Sequence, residues 1–347
     1  MIIRSRAYPR AALIGNPSDG YHGKTIAFVF SNFHADVELY ESPELELLPA
    51  RRDGSVFQNL DALAADVAQF GYYGGIRLLK AGLKKFWEYS QEQGWKLPER
   101  NFTIRYSSNI PNRLGMAGSS AIITAALRAV LRFYRKDIDP AHLANLVLAV
   151  EREELGIPAG LQDRVAQAFN YPVYMDFNAE FMAKNGIGRY ELLEIPDDLR
   201  LFVAYRTDLA EGSEILHSRL RDDYNDGVKA VRDAMLEWAF LTEQVREAIA
   251  EHHYERLPAL INRNFDLRCE VCAGSISVKN RQMVELARQN GASAKFTGSG
   301  GAIIGTYEDE TMFLRMKQDF AENSIGVIKP KIVRLGKETS RAERRFL

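Results

Sequence analysis

The chain carries a glycine- and serine-rich loop over residues 109–121, with the sequence Asn-Ile-Pro-Asn-Arg-Leu-Gly-Met-Ala-Gly-Ser-Ser-Ala. Residues 102–107 before it alternate between apolar and polar, which predicts a strand, and Ser120–Tyr134 after it predicts a helix. The first amides of a helix and its dipole bind phosphate groups. Gly115 and Gly118 allow close backbone approach because they lack a Cβ atom. The loop therefore indicates nucleotide binding, although a serine that merely caps a helix gives the same local pattern.

Two acidic residues downstream of this loop are candidates for metal and proton chemistry. Glu151 lies one turn after Val147 on the apolar side of a helix predicted over 140–155. A carboxylate there is costly unless it is paired or binds a cation. Glu151 is thus a candidate Mg²⁺ ligand, with a salt-bridged or solvated glutamate as the alternative. Asp163 lies in the first turn of the next predicted helix, where acidic residues are common, so it is uninformative by itself.

Two further turns contain residues suited to binding hydroxyls or phosphates. A strand predicted from Arg10 leads into the polar turn Asn16–Asp19, which suits hydroxyl recognition but is equally explained by Asx-turn chemistry. Residues 298–301 contain three glycines between two predicted strands. This glycine-rich turn indicates either a hairpin or close approach of the backbone to another group.

Two other motifs are set aside. Gly23-Lys24-Thr25 resembles the end of a P-loop, but Ser18 stands where that motif needs a glycine, and a strand follows instead of a helix. Cys269 and Cys272 have no further zinc ligands nearby and no preceding strand. We therefore expect both cysteines to be reduced, and either structural or incidental.

The composition indicates an ordinary globular protein of two domains. The 347 residues are 46% hydrophobic and 26% charged, and 45 basic against 46 acidic residues give a net charge of −1. No basic field points to nucleic acid, and no apolar run suits a signal peptide or a membrane span. We expect a cytoplasmic protein with a domain boundary within 180–198, which divides the chain into 1–195 and 196–347.

The predicted elements do not alternate as strict βαβ units, which indicates the α+β class. Strands are expected over 11–14, 25–31, 35–40, 45–48, 102–107, 173–177, 201–205, 294–296, 302–307 and 327–334. Helices are expected over 60–70, 76–90, 120–134, 140–155, 160–169, 227–252, 257–264, 279–289 and 311–323.

Three of these segments, in this order, resemble the motifs of the GHMP kinase superfamily, which includes galactokinase, homoserine kinase and mevalonate kinase. They are Gly15–Asp19, Pro111–Ala121 and Lys295–Gly301. Within the superfamily the chain is most similar to sugar-1-kinases that act on D-glucuronate. Further matching stretches between about residues 10 and 305 are 71–75, 118–122, 160–167, 173–177 and 264–268.

The resemblance implies a two-domain GHMP kinase fold, with a ribosomal-S5-like N-terminal domain and a ferredoxin-like C-terminal domain. It implies that ATP, with Mg²⁺, phosphorylates the anomeric C1 hydroxyl of a sugar, with D-glucuronate first. The alternatives are another aldose, a heptose phosphate or a cyclitol, or a catalytically silent sugar sensor on the same fold. No nucleic acid or membrane partner is expected, and the protein would be a monomer or a homodimer.

The resemblance also implies roles for individual residues. Asp163 would accept or orient the sugar hydroxyl, with Arg10 beside it and the transferring phosphoryl group, while Ser120 and Glu151 would hold Mg²⁺. The expected phosphate-binding residues are Pro111, Gly115, Ala117, Gly118, Ser119, Ser120 and Ala121. The expected substrate-binding residues are Asn16, Asp19, Tyr21, His22, Arg268, Gly298, Gly300 and Gly301.

A uronate carboxylate requires a bidentate arginine or a lysine in the substrate site. The candidate cations in the sequence are Arg268, Arg164, Lys24 and Arg113. Each of these residues is equally consistent with a surface charge or a structural ion pair.

Overall fold

The computed structural model describes residues 2–50, 53, 58–59, 74–112, 114–208, 214–272, 274 and 276–334, with side chains left undescribed over 214–219. The helix predicted over 60–70, the candidate cation Arg113 and the tail after residue 337 lie outside these residues.

The elements follow one another without strict alternation. In chain order the strands are β1 (Ile2–Ala7), β2 (Arg10–Ile14), β3 (Lys24–Val29), β4 (Ala35–Ser42), β5 (Glu46–Leu48), β6 (Asn101–Ser108), β7 (Val173–Asp176), β8 (Arg189–Leu192), β9 (Leu201–Arg206), β10 (Lys295–Phe296), β11 (Ala302–Thr306) and β12 (Ile325–Ile328). The α-helices are α1 (Gly75–Glu92), α2 (Gly118–Phe133), α3 (Pro140–Ala149), α4 (Leu161–Phe169), α5 (Ala179–Asn185), α6 (Glu214–Asn225), α7 (Lys229–Ala250), α8 (Leu257–Cys272), α9 (Val278–Gln289) and α10 (Glu310–Glu322).

Strands in the first part of the chain form two four-stranded sheets, with the orders β1-β4-β6-β5 and β2-β3-β7-β8. β5 is parallel to β6, and the other pairings in these sheets are antiparallel. α2 packs against β1 and β4, and its residues Ile123, Leu127 and Val130 are almost fully buried. The N-terminus of α2 is thereby fixed next to β2, where the candidate site lies.

A third sheet, in the last part of the chain, has the order β10-β11-β9-β12 and is antiparallel throughout. Its first strand lies between its third and its fourth, which is the ferredoxin-like arrangement. The expected α+β class with a ferredoxin-like C-terminal part is therefore confirmed. The glycine-rich turn 298–301 connects β10 to β11 at the end of this sheet that faces β2, because Ala12 N donates to Thr297 O at 3.1 Å.

Most predicted elements form, and a few differ from the expectation. β1 escaped prediction because its buried face carries only Ile3, Ser5 and Ala7, a weak apolar signal. α6 was also not predicted, and α8 extends through both cysteines instead of ending at residue 264. The last strand, expected over 327–334, is β12, which ends at Ile328. The helix expected over 140–155 is α-helical as far as Ala149 and continues as a π-helical turn at Val150–Glu154.

Residues after β12 return to the first part of the chain. Val333 N donates to Val29 O at 2.9 Å, and Ser31 N donates to Lys331 O at 2.8 Å. The division into 1–195 and 196–347 stays a prediction. Among the described residues, no helix combines the length and apolar character needed to cross a bilayer.

Candidate active site

Arg10 and Asp163 form an ion pair at the meeting point of β2 and α4. Arg10 is 3% exposed, and its Nη2 lies 2.6 Å from Asp163 Oδ1. Its Nη1 donates to the carbonyl of Thr297, next to the glycine-rich turn. Burial raises the pKa of Asp163, but the charges of Arg10 and Arg164 outweigh it and hold that pKa below its usual value. Asp163 is therefore an ionised, oriented hydrogen-bond acceptor.

Glu151 and Ser120 form a second buried pair. Ser120 Oγ donates to Glu151 Oε1 at 3.0 Å, while Arg164 donates to Glu151 Oε2. Arg164 also approaches Asp163 Oδ2 at 3.2 Å, so one guanidinium connects both carboxylates. Burial raises the pKa of Glu151, and the charge of Arg164 opposes that change. The predicted burial of Glu151 is confirmed, with 1% of the residue exposed.

The donor set of Glu151 and Ser120 fits Mg²⁺. Mg²⁺ in kinases takes one or two carboxylates from the protein and further oxygens from phosphates and water. Glu151 Oε1 and Ser120 Oγ provide two adjacent oxygens at the N-terminus of α2. Among the described residues, no group of three or more histidine, cysteine or acidic residues could hold a metal alone. The pair thus suits an ion that arrives with a nucleotide.

The loop before α2 turns sharply to present the first amides of the helix. Gly115 and Ala117 have positive φ values of 63° and 59°. Ala121 N donates to Ala117 O at 3.1 Å, which begins the helical bonding and leaves the amides of Gly118, Ser119 and Ser120 without intrahelical acceptors. Such amides bind anions. The predicted phosphate-binding residues from Pro111 to Ala121 are brought together here.

The glycine-rich turn packs directly against this loop. A Cβ atom on Gly298 would lie 2.6 Å from Gly115 O, and one on Gly115 would lie 2.7 Å from Gly300 O. Arg268 holds the turn from behind, since its Nη1 and Nη2 donate to the carbonyls of Gly298 and Ser299 at 2.9 Å and 3.1 Å. Two glycine segments far apart in sequence therefore touch without intervening side chains.

Asn16 and Lys295 fasten the polar turn after β2 to the start of the glycine-rich turn. Lys295 is fully buried and donates to Asn16 Oδ1 and, at 2.9 Å, to Phe296 O. Asn16 Nδ2 lies 3.3 Å from Gly298 O. Burial and nearby arginines hold the pKa of Lys295 well below its usual value. The side chain of Asn16 thus has internal partners at both its oxygen and its nitrogen.

Asp19 lies beside the Arg10–Asp163 pair. A Cβ on Gly160, the residue that precedes α4, would be 2.6 Å from Asp19 Oδ2. Burial and, next, the charge of Asp163 raise the pKa of Asp19 to about 7, with Arg10 and Arg164 acting in the opposite direction. Asp19 and Asp163 are therefore close enough for their charges to influence each other.

Tyr21 and His22 follow Asp19 but differ in environment. Tyr21 is buried, and its ring packs on Tyr224 of α6 with 4.8 Å between ring centroids. His22 is exposed and adopts a positive φ of 62° at the end of the short 3-10 turn Ser18–Tyr21.

The three candidate cations that lie within the described residues have partners within the protein. Arg268, which is 2% exposed, donates to the turn carbonyls, and Arg164 donates to Glu151. Lys24 Nζ lies 2.5 Å from Glu243 Oε1. Cys269 and Cys272 form no disulfide bond and lie on α8, in the helical context that the sequence indicated.

Two supporting residues were not assigned their structural roles from sequence. Gln167 Nε2 donates to Ala117 O at 2.9 Å and to Tyr8 O at 3.0 Å, which holds the loop against the strand region. Lys295 lies in a strand predicted to be apolar. A lysine within such a strand was the sequence signal that could have indicated its structural role. Neither role follows from spacing, because both depend on contacts across the chain.

Comparison with known proteins gives consistent results. The family model described as GHMP kinases N terminal domain matches residues 77–171, and that described as GHMP kinases C terminal matches residues 245–323. Probable glucuronokinase 2 of Arabidopsis thaliana is 39% identical over 337 residues, which cover 95% of this chain and 91% of the relative. Glucuronokinase 1 of the same organism is 40% identical over 309 residues, with coverages of 87% and 84%.

A solved galactokinase of Lactococcus lactis, complexed with galactose, shares the fold. It superposes with a TM-score of 0.74 at 12% identity and covers 96% of this chain and 94% of its own. The fold and the relatives together define an ATP-dependent small-molecule kinase. The chain belongs to the GHMP kinase family.

Proposed function

We propose that this kinase phosphorylates the C1 hydroxyl of D-glucuronate, using ATP with Mg²⁺. The observation that carries the proposal is the identity of about 40% to two proteins named glucuronokinases over most of both chains. The arrangement of Asp163, Arg10 and the α2 loop supports it, because phosphoryl transfer depends mainly on positioning and charge neutralisation.

Asp163 orients the sugar hydroxyl and accepts its proton during transfer. Its ion pair with Arg10 keeps it ionised, which makes it a good acceptor but a weak base, so orientation is the larger contribution. Arg10 also faces the transferring phosphoryl group and offsets its negative charge. Both side chains are held by secondary-structure elements and not by long loops, so their geometry exists before substrate binds.

The α2 loop binds the phosphates through its backbone, and the glycine-rich turn closes one side of the site. Amides of Gly118, Ser119 and Ser120 contact phosphate oxygens, since a helix N-terminus offers donors without partners. Ser120 and Glu151 hold Mg²⁺, which supplies neutralisation of the phosphate charge. Gly298, Gly300 and Gly301 leave room for substrate next to the loop. In this proposal residues 1–195 provide ATP binding and residues 196–347 complete the substrate side.

The proposal is tested by ADP release from the purified full-length protein with ATP, Mg²⁺ and one candidate acceptor at a time. The acceptors are D-glucuronate, D-galacturonate, D-glucose, D-galactose, a heptose 7-phosphate and a cyclitol. We expect D-glucuronate to give the highest kcat/KM. Turnover of another acceptor alone would replace the substrate, and an absence of turnover with all of them would favour a sugar sensor.

A further inference from the structure

Asn264, in the middle of α8, pairs its side-chain amide with the backbone of the polar turn after β2. Gly15 N donates to Asn264 Oδ1 at 2.8 Å, and Asn264 Nδ2 donates to Asn16 O at 3.1 Å. These partners lie 249 and 248 residues earlier in the chain. Only 2% of Asn264 is exposed, and both its oxygen and its nitrogen are bonded within the protein. Asn264 therefore acts on the turn, and a substrate has no access to its amide.

The backbone at Gly15 depends on this partner. The pairing of β2 with β3 ends at Ile14, and Gly15 turns away with a positive φ of 93°. A Cβ atom on Gly15 would lie 2.2 Å from Lys24 O and 2.3 Å from Thr242 Oγ1, so the residue passes closely between β3 and α7. Its N–H is buried there, and a buried backbone N–H requires an acceptor. Asn264 supplies that acceptor where the sheet no longer does.

The position of Asp19 follows from the backbone of Gly15. Ser18 is fully buried, and its N–H donates to Gly15 O at 2.9 Å, which closes the turn. Asp19 comes directly after Ser18, and its Oδ2 would lie 2.6 Å from a Cβ on Gly160, the residue that precedes α4. The turn that begins at Gly15 thus carries Asp19 to the start of α4, where Asp163 lies.

The same face of α8 also holds the glycine-rich turn. Arg268 lies one helical turn after Asn264 and donates to the carbonyls of Gly298 and Ser299 at 2.9 Å and 3.1 Å. The helix is itself fixed to α7 at this point, because Trp238 Nε1 donates to Asn264 O at 3.0 Å. Two turns that follow strands of different sheets are therefore held by side chains of one helix.

We infer that Asn264 is a positioning residue for the acceptor side of the active site, where it holds Asp19 beside Asp163 through the backbone of Gly15 and Asn16. The inference rests on the proposed function, because it takes the polar turn as part of the sugar site. A residue with this role controls the KM for the sugar. It has little influence on ATP, which the amides at the start of α2 bind in the proposed function. An asparagine that only stabilises the fold would change the melting temperature alone.

The test compares wild type with two variants of Asn264. Asn264→Asp keeps the acceptor for Gly15 N and replaces the donor to Asn16 O with an oxygen, while Asn264→Ser is too short for both contacts. We expect each variant to raise the KM for D-glucuronate about 10-fold and to lower kcat by less than about threefold, since ordered hydrogen bonds that position a binding group are lost. The dissociation constant for ATP should stay within about twofold.

Asn290→Ser is the matched control. Asn290 is 4% exposed, its Nδ2 donates to Asp319 Oδ2 at 2.7 Å, and its Oδ1 accepts from Arg315 Nε at 3.0 Å. It follows the end of α9, which is about 18 Å long and bonds to the glycine-rich turn near its other end, through Asn280. The control should lose stability and keep both KM values.

A double variant shows whether Asn264 acts through Asp19. In the Asp19→Asn background, Asn264→Ser should raise the KM for the sugar by less than about twofold, because the group that it positions is already altered. The same factor in both backgrounds would overturn the inference. Melting temperatures above the assay temperature show that the variants are folded, and Asn264→Asp, which keeps the side-chain volume, takes the place of Asn264→Ser if the shorter side chain prevents folding.

The outcomes separate this inference from the proposed function. If wild type phosphorylates another sugar and Asn264→Ser raises the KM for that sugar, the positioning role is supported and the proposed substrate is wrong. If D-glucuronate is the substrate and its KM is unchanged in a folded Asn264 variant, the positioning role is wrong and the proposed function stands. An equal rise in the KM for the sugar and in the dissociation constant for ATP also overturns the inference, because it indicates a general disturbance of the site.

Discussion

Arg10 joins Asp163 to Thr297 through its two terminal nitrogens, one 2.6 Å from the Asp163 carboxylate and the other bonded to the Thr297 carbonyl. A single buried guanidinium thus connects β2, the first turn of α4 and the glycine-rich turn. The same residue that fixes the ionisation of the proposed acceptor also fixes the distance between the two parts of the site. Charge and geometry at Asp163 are therefore coupled.

Asp163→Asn should lower kcat by about 10³-fold, since it removes the ionised acceptor while keeping the size of the side chain. ATP affinity should stay within about twofold, because the loop amides and not Asp163 bind the phosphates. Single-turnover kinetics and nucleotide titration measure the two quantities. Turnover close to that of wild type would remove Asp163 from the mechanism.

Arg10→Lys should lower kcat by about 10²-fold or more, with a smaller effect on KM for the sugar. Lysine keeps the charge but cannot reach Asp163 and Thr297 together, because it lacks the guanidinium fork. Steady-state kinetics of Arg10→Lys, compared with those of the surface control Arg135→Lys, test this prediction. A change in KM alone would mean that Arg10 only binds substrate.

Much of the candidate site could be predicted from sequence because its parts are local. A short segment of sequence is enough to show a glycine-rich loop before an apolar helix, or an acidic residue on a buried helix face. The structure has the first at Gly118 and the second at Glu151. Strands with one apolar face, such as β4 and β6, were visible for the same reason.

The remaining features depend on contacts between residues far apart in the sequence, which no short segment shows. Arg164 was a candidate for substrate binding, yet it lies between Glu151 and Asp163, an arrangement set by how α4 packs on the π-helical turn. The guanidinium group of Arg268 donates to the glycine-rich turn, 30 residues downstream, instead of facing a substrate carboxylate. The partners of a long cationic side chain are decided by tertiary structure, since its stem reaches several neighbours.

Gly298→Ala should disturb the contact between the glycine-rich turn and the α2 loop. The added Cβ would lie 2.6 Å from Gly115 O and 3.2 Å from both terminal nitrogens of Arg10, so the backbone must move. We expect a loss of stability of about 1–3 kcal/mol and a reduced kcat. Gly82→Ala is the matched control.

At Gly82, inside α1, the nearest atom to an added Cβ is Ile123 Cγ2 at 3.9 Å. That variant should keep full activity and gain about 0.4–1 kcal/mol of stability. Denaturant unfolding and steady-state kinetics measure both variants. Equal behaviour of the two would show that the turn and the loop are not in functional contact.

Asp19→Asn should stabilise the ligand-free protein more at pH 8 than at pH 5. The pKa of Asp19 is about 7 in the folded protein against an ordinary 3.8, so the folded state holds this proton more tightly than the unfolded state. The associated stability is fully present below the unfolded pKa and is lost as the pH rises through the folded pKa. Because asparagine carries no charge, the Asp19→Asn variant does not lose this stability as the pH rises.

We expect the melting temperature of Asp19→Asn to exceed that of wild type by about 2–4 °C at pH 8, and by less at pH 5. Asp226→Asn, which changes an exposed aspartate, should show no such pH dependence. A stabilisation that is equal at the two pH values, or larger at pH 5, would contradict the raised pKa of Asp19.

Glu151→Gln should raise the Mg²⁺ concentration needed for half-maximal activity by at least about 10-fold, because an ionised oxygen ligand is lost. Glu153→Gln is the control, since Glu153 lies two residues away with 60% of its side chain exposed and pairs with Lys85 at the surface. Mg²⁺ titrations at saturating ATP and sugar compare them. An unchanged Mg²⁺ requirement in Glu151→Gln would assign the metal to other ligands.

The central claim is that this kinase transfers the γ-phosphoryl group of ATP to the anomeric hydroxyl of D-glucuronate. Phosphorus NMR of the product formed from D-glucuronate, ATP and Mg²⁺ tests it most directly, because coupling to the anomeric proton identifies the phosphorylated position. The account predicts glucuronate 1-phosphate together with one equivalent of ADP, and formation of both products about 10³-fold more slowly with Asp163→Asn. A phosphate ester at any other hydroxyl, or no phosphorylated sugar at all, would contradict it.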